Sequence, residues 1–252
     1  MEGNIGFALL LTTGAGLSTG IGGLLGILVK KPGARFMGFT LGFSAGVMIH
    51  ISFVELLPDS IDALGFLWAH VAFFAGMAGI FLIDMLVPHD YIGQHDHTEE
   101  QGKLMRTSVL VALGMAIHNF PEGLATFAGS MMNKELGLSI AVAIAVHNIP
   151  EGLAVSAPVY AATGNRKKAF TWSLLSGISE PVGAGLAALL LFPFLTEGLL
   201  AVFLALVAGI MVAISVDELV PAAKSFNTEH APILGVIVGS MVMALSLYLL
   251  GM

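Results

Sequence analysis

Two octapeptides in this chain repeat one set of chemical groups: His118-Asn119-Phe120-Pro121-Glu122-Gly123-Leu124-Ala125 and His147-Asn148-Ile149-Pro150-Glu151-Gly152-Leu153-Ala154. On a helix, His and Glu four residues apart share a face, and Asn lies three residues from Glu. Each copy therefore offers an imidazole nitrogen, an amide oxygen and a carboxylate to one small volume. Glu180 adds a further carboxylate, which makes His118, Asn119, Glu122, His147, Asn148, Glu151 and Glu180 the candidate metal ligands. Cys is absent, so any metal is held by nitrogen and oxygen. Imidazole suits zinc, iron, nickel or copper, whereas all-oxygen sites suit magnesium or calcium. The donor set alone points to a borderline divalent cation. Seven residues exceed the four ligands zinc usually takes, so two neighbouring ions bridged by glutamates use them better. His118, His147, Glu122 and Glu151 form one expected centre. Asn119, Asn148 and the three glutamates form the other.

The elements that must carry these groups are membrane spans. The chain is 56% hydrophobic and only 11% charged, which a soluble globule of 252 residues does not match; its mean hydropathy is +0.91. A helix needs about 20 apolar residues to cross the hydrocarbon. Eight such runs are found, at 7–29, 36–57, 66–87, 107–130, 138–160, 169–192, 198–220 and 232–250, in a single all-α transmembrane domain covering 1–252. The first run is expected to be a retained helix and not a signal peptide. The 31 glycines fit helices packed closely in lipid.

Glu122, Glu151 and Glu180 fall near the middle of their expected spans, where a carboxylate costs at least about 2.5 kcal/mol and so faces the bundle interior. Pro121, Pro150 and Pro181 lie within three residues of these ligands. Each removes an amide donor, freeing the carbonyls of Ile117, Val146 and Gly177 and loosening the helices.

Nine of the ten Lys and Arg fall in loops on one side of the eight-span topology, Lys134 being the exception. The positive-inside rule then puts both termini outside the cytoplasm. The polar loop 88–106, with His89, His95 and His97, falls inside. Glu55 near the outer end of the second span, and Asp217 with Glu218 near the inner end of the seventh, are candidates for the metal's entrance and exit.

The paired motifs closely resemble those of the ZIP (Zrt-/Irt-like protein) family of metal transporters, in its bacterial branch. The resemblance extends to Ser52-Phe53-Val54-Glu55-Leu56-Leu57-Pro58, Ala157–Gly164, Ser176–Glu180 and Gly209–Leu219. It implies eight spans with both termini outside and a binuclear centre on the fourth to sixth helices. It further implies multi-pass residence in the cytoplasmic membrane and inward transport of zinc and ferrous iron, with manganese, cobalt and cadmium as further substrates. It implies no prosthetic group and no nucleic-acid partner, and it makes a homodimer a reasonable assembly. The ligands carry over residue by residue: His118, Glu122, His147 and Glu151 resemble the zinc centre, and Asn119, Glu122, Asn148, Glu151 and Glu180 the second. A metallohydrolase or a metal sensor is the rival reading. Neither a His-Glu-x-x-His motif nor an output domain is evident in the sequence, which favours a transporter over an enzyme.

Overall fold

The computed structural model describes residues 4–29, 33–86, 99–194 and 196–250. Every regular element among them is helical. In chain order the helices are α1 (Ile5–Leu28), α2 (Ala34–Leu64), α3 (Phe66–Leu86), α4 (Glu99–Met132), α5 (Lys134–Thr163), α6 (Arg166–Leu186), α7 (Glu197–Ser225) and α8 (Ala231–Leu250). All but α4 are individually long and apolar enough to cross a membrane. Their apolar side chains face outward as well as inward, as in Leu10, Phe66, Phe74, Leu189 and Tyr248. Lipid is the environment that matches such a surface.

α4 starts at Glu99, so residues 99–106, expected in the loop 88–106, are instead helix. Hydropathy marks where lipid ends and not where a helix ends, and Glu, Gln, Lys, Leu, Met and Arg in this stretch are strong helix formers. His89, His95 and His97 lie outside the described residues. Side-chain caps start α1, α5, α6 and α7: Asn4 accepts from Gly6 and Phe7, Asn133 from Glu135 and Leu136, Asn165 from Lys168, and Thr196 from Leu199. Asn133 alone joins α4 to α5, which forces a tight antiparallel hairpin.

The helices pack as two groups of four. α1, α4, α5 and α6 form one; α2 with α8, and α3 with α7, form the other; α2 meets α5, and α4 meets α7, between them. Small residues allow the approach. A methyl at Gly46 would overlap the carbonyl of Val236, and one at Gly239 that of Phe43. The same relation holds between Gly209 and Phe73, and between Gly76 and Leu206. These pairs are connected by one constant offset of 163 residues (Gly46 to Gly209, Gly76 to Gly239, Phe43 to Leu206, Phe73 to Val236), so α2 and α3 repeat as α7 and α8.

The repeat is visible in the residues once the offset is known. Ala45-Gly46-Val47-Met48-Ile49-His50-Ile51-Ser52-Phe53-Val54-Glu55-Leu56-Leu57-Pro58 aligns with Ala208-Gly209-Ile210-Met211-Val212-Ala213-Ile214-Ser215-Val216-Asp217-Glu218-Leu219-Val220-Pro221. Both copies contain a π-helical turn, Ser52–Leu56 and Ser215–Leu219. The cause is local. Pro58 and Pro221 cannot donate to the carbonyls of Val54 and Asp217, and the turn before each widens until Leu57 N–H bonds Ser52 O and Val220 N–H bonds Ser215 O. Ser52 and Ser215 hydroxyls each donate to the carbonyl four residues earlier, on Met48 and Met211, at 2.7 Å.

Candidate metal centre

The hairpin of α4 and α5 sets the centre. Its antiparallel register places His118 opposite Glu151 and Glu122 opposite His147, so the two repeats meet as crossed pairs. His118 Nε2 lies 3.0 Å from Glu151 Oε1, and His147 Nε2 lies 3.4 Å from Glu122 Oε1 without hydrogen-bond geometry. The other ring nitrogen of His118 bonds the Gly114 carbonyl at 3.1 Å, which fixes the ring. One donor atom each of His118, Glu122 and Glu151 falls within a span of 4.8 Å.

The two asparagines are anchored through their amide nitrogens. Asn119 Nδ2 donates to the Ser176 carbonyl at 3.3 Å, and Asn148 Nδ2 donates to the Ala15 carbonyl at 2.9 Å and to Glu180 Oε1. Their Oδ1 atoms are thereby left as free acceptors. α6 is held at the right depth by glycine, because the Glu180 carbonyl lies against Gly123 and the Phe120 carbonyl against Gly183. α4, α5 and α6 run as continuous helices through Pro121, Pro150 and Pro181. The Gly177 carbonyl, deprived of a donor by Pro181, lies against Gly16 of α1.

His118 meets Glu151, His147 lies near Glu122, Asn148 bonds Glu180 and Asn119 bonds the backbone of Ser176 on the helix that carries Glu180; each of the seven candidate ligands is at most 1% exposed. Eight of their donor atoms have no hydrogen-bond partner: Asn119 Oδ1, both oxygens of Glu122, both nitrogens of His147, Asn148 Oδ1, Glu151 Oε2 and Glu180 Oε2. Buried polar atoms are ordinarily satisfied, and a buried carboxylate without a partner is expensive. These atoms are buried with no compensating hydrogen-bond partner among the described residues.

Glu55, Asp217 and Glu218 stand apart from this cluster. Glu55 and Glu218 occupy equivalent places on the two π-helical turns. Asp217 and Glu218 border a cavity of about 570 Å³ between α3, α4 and α7. Gly114 and Ile117 form part of its wall, one turn from His118, and Gly114 is the residue that holds the His118 ring.

Two features of the site lay beyond the sequence reading. α1 belongs to it, through the Ala15 carbonyl, although α1 carries no charged residue; backbone acceptors leave no mark on side-chain patterning. The equivalence of Glu55 and Glu218 was recoverable, since Ser52–Pro58 and Ser215–Pro221 share Ser, Glu, Leu and Pro at matching positions.

A helical bundle with an apolar outer surface and a buried cluster of His, Asn and Glu side chains fits the class of integral membrane proteins that handle metal ions. The profile of the family described as ZIP Zinc transporter matches residues 85–247. Similar chains include the zinc transporter ZupT of Corynebacterium efficiens, 47% identical over 98% of both chains. That of Chlorobium phaeovibrioides is 49% identical over 96% of this chain and 97% of its own. That of Oceanobacillus iheyensis is 46% identical over 98% of this chain and 99% of its own. The chain belongs to the ZIP zinc transporter family, and is a transporter and not an enzyme.

Proposed function

We propose that this protein takes up divalent transition-metal ions, zinc and ferrous iron foremost and manganese, cobalt and cadmium with them, through a two-metal site inside the cytoplasmic membrane. The observation that carries the reading is the set of unpartnered donor atoms on His147, Asn119, Asn148, Glu122, Glu151 and Glu180, all buried in one volume. Relatives named as zinc transporters over nearly the whole chain length support zinc as the leading substrate.

In this reading His118, His147, Glu122 and Glu151 hold one ion, and Asn119, Asn148, Glu122, Glu151 and Glu180 hold the other. Imidazole favours the softer ion at the first centre, and amide and carboxylate oxygens accept a harder one at the second. An arriving ion competes with the contact between His118 and Glu151: since Nδ1–H is donated to the Gly114 carbonyl, the proton shared by His118 Nε2 and Glu151 Oε1 must be released to bulk before both atoms bind the ion. When the ion leaves, a proton returns and the contact re-forms, so neither group is stranded. Release is therefore easier than from a rigid site.

The positive-inside distribution supports an orientation with both termini outside the cytoplasm and with Asp217 and Glu218 towards it. Glu55 then meets the ion on the outer side and Asp217 with Glu218 on the inner side.

The test is accumulation of zinc in sealed proteoliposomes. Uptake by the wild-type chain that is abolished in Glu122→Ala and Glu151→Ala is the expected result. Metal binding without flux in the wild type would sink the proposal.

A further inference from the structure

The four helices of the metal group obey an exchange of their own, which picks out a residue on α1. The Glu180 carbonyl lies against Gly123, and the Thr19 carbonyl lies against Gly152, the same position in the second octapeptide. The Phe120 carbonyl lies against Gly183, and the Ile149 carbonyl against Gly22. Asn119 donates to Ser176 O, and Asn148 donates to Ala15 O. Gly16 and Gly177 lie against each other's carbonyls. One rule covers all of these: α4 exchanges with α5, and α1 with α6 at a constant offset of 161 (Ala15 to Ser176, Gly16 to Gly177, Thr19 to Glu180, Gly22 to Gly183).

Thr19 is thus the counterpart of Glu180. It leaves the backbone at the place relative to Asn119 that Glu180 has relative to Asn148. Glu180 reaches Asn148 and bonds its amide. The shorter Thr19 side chain makes no such bond, and its hydroxyl and Asn119 Oδ1 are both buried without a partner. Thr19 is fully buried. A threonine in a membrane helix normally turns its hydroxyl onto the carbonyl four residues earlier. Thr12, Thr13 and Thr163 do so here, at 2.9, 2.7 and 2.6 Å, whereas Thr19, like Thr126 of α4, does not.

Resting on the two-metal reading above, we infer that Thr19 is a further residue of the oxygen-rich centre, its hydroxyl holding a metal-bound water on the side of the axis opposite Glu180. The pseudosymmetric shell would accept a carboxylate on both sides. Having it on one side only keeps the site from gaining another negative charge and binding the divalent ion too tightly to release it. Thr19 acts here as a positioning residue through the water, and Glu180 as a ligand.

The experiment uses full-length protein in proteoliposomes and zinc itself. Thr19→Val keeps the shape and removes the hydroxyl; it should raise the KM for zinc uptake about fivefold, the factor that one hydrogen bond of ordinary net strength carries. Thr19→Ser keeps the hydroxyl and should stay within about twofold of wild type on the same reasoning. A Thr19→Val variant equal to wild type, or a Thr19→Ser variant as impaired as Thr19→Val, overturns the assignment. The exchanged variant T19E/E180T, purified as a folded species, should regain part of the uptake lost in Glu180→Thr; no gain over Glu180→Thr counts against it. Glu122→Ala separates the two levels. If that variant transports normally, the site reading itself has failed; if it is inactive while Thr19→Val is normal, only the role of Thr19 falls.

Discussion

Gly123→Ala is the most demanding probe of how the fold positions the site. The added methyl would overlap the carbonyl oxygen, carbonyl carbon and Cα of Glu180, which are backbone atoms and cannot rotate aside as a side chain can. α6 must therefore shift away from α4. Overpacking costs about 1–3 kcal/mol, and an overlap with backbone belongs at the upper end. Alanine in place of glycine within a helix returns about 1 kcal/mol. The net expectation is destabilisation by about 2 kcal/mol, or a fall in Tm of about 4–8 °C for a chain of this size. Gly185→Ala, on α6, is the internal control. Nothing lies within 4 Å of its added methyl, so only the favourable term remains and Tm should rise slightly. Because the contact is made by Glu180 itself, Gly123→Ala should also weaken zinc binding although no ligand is altered. Thermal unfolding in detergent, with and without zinc, reads both effects. Equal Tm values for Gly123→Ala and Gly185→Ala, with unchanged zinc affinity, would refute the argument that glycine contacts set the depth of Glu180.

The two histidines should differ in the metal-free protein. His118→Ala removes bonds to Glu151 and Gly114 and should lower Tm, by the equivalent of about 1–3 kcal/mol, more than His147→Ala, whose ring nitrogens have no hydrogen bond to lose. Both variants should lower zinc uptake at least about tenfold while reducing manganese uptake less, because harder ions depend less on imidazole; equal losses in a competition assay would contradict the division into two centres. Glu55→Gln and Glu218→Gln, at equivalent π-helical turns, should each slow zinc flux several-fold with little change in equilibrium binding, and a large loss of binding in either would place it in the site proper. Ser215→Ala should cost about 1 kcal/mol through the lost bond to Met211, measured as a lower Tm, and Ser52→Ala should match it within error if the repeated turns are energetically alike.

The cluster was legible from side chains because its chemistry repeats at helical spacing. His118 and Glu122, and His147 and Glu151, had to share faces, and the structure buries all seven residues, with His118 against Glu151, His147 near Glu122 and Asn148 on Glu180. Hydropathy gave the helical class for an equally simple reason, since lipid-facing surfaces must be apolar along their whole length. It failed at Glu99, where the helix continues into polar sequence that lipid does not constrain. The contribution of α1 was hidden because it comes through the carbonyls of Ala15 and Thr19. The two four-helix groups were hidden too, since glycines such as Gly46 and Gly152 mark close approach without naming the partner.

The crossed pairs carry the last step of the argument. With His118 against Glu151 and His147 near Glu122, each carboxylate faces the imidazole of the other repeat; in the proposed site an ion that binds one repeat would then disturb the other. Were each histidine paired with the glutamate of its own helix, the two halves could fill and empty independently. The antiparallel hairpin at Asn133 forbids that independence: sliding α4 along α5 by a single turn would move His118 off Glu151 and Glu122 off His147 together. Occupancy and helix register are thus coupled in one element. The measurement that isolates the coupling is a double-mutant cycle of His118→Ala with His147→Ala, one from each repeat and each facing the other repeat's glutamate. Coupled loss of zinc affinity in that cycle, of about 1 kcal/mol or more beyond additivity, is expected of a shared site, and additive losses would mean two independent halves.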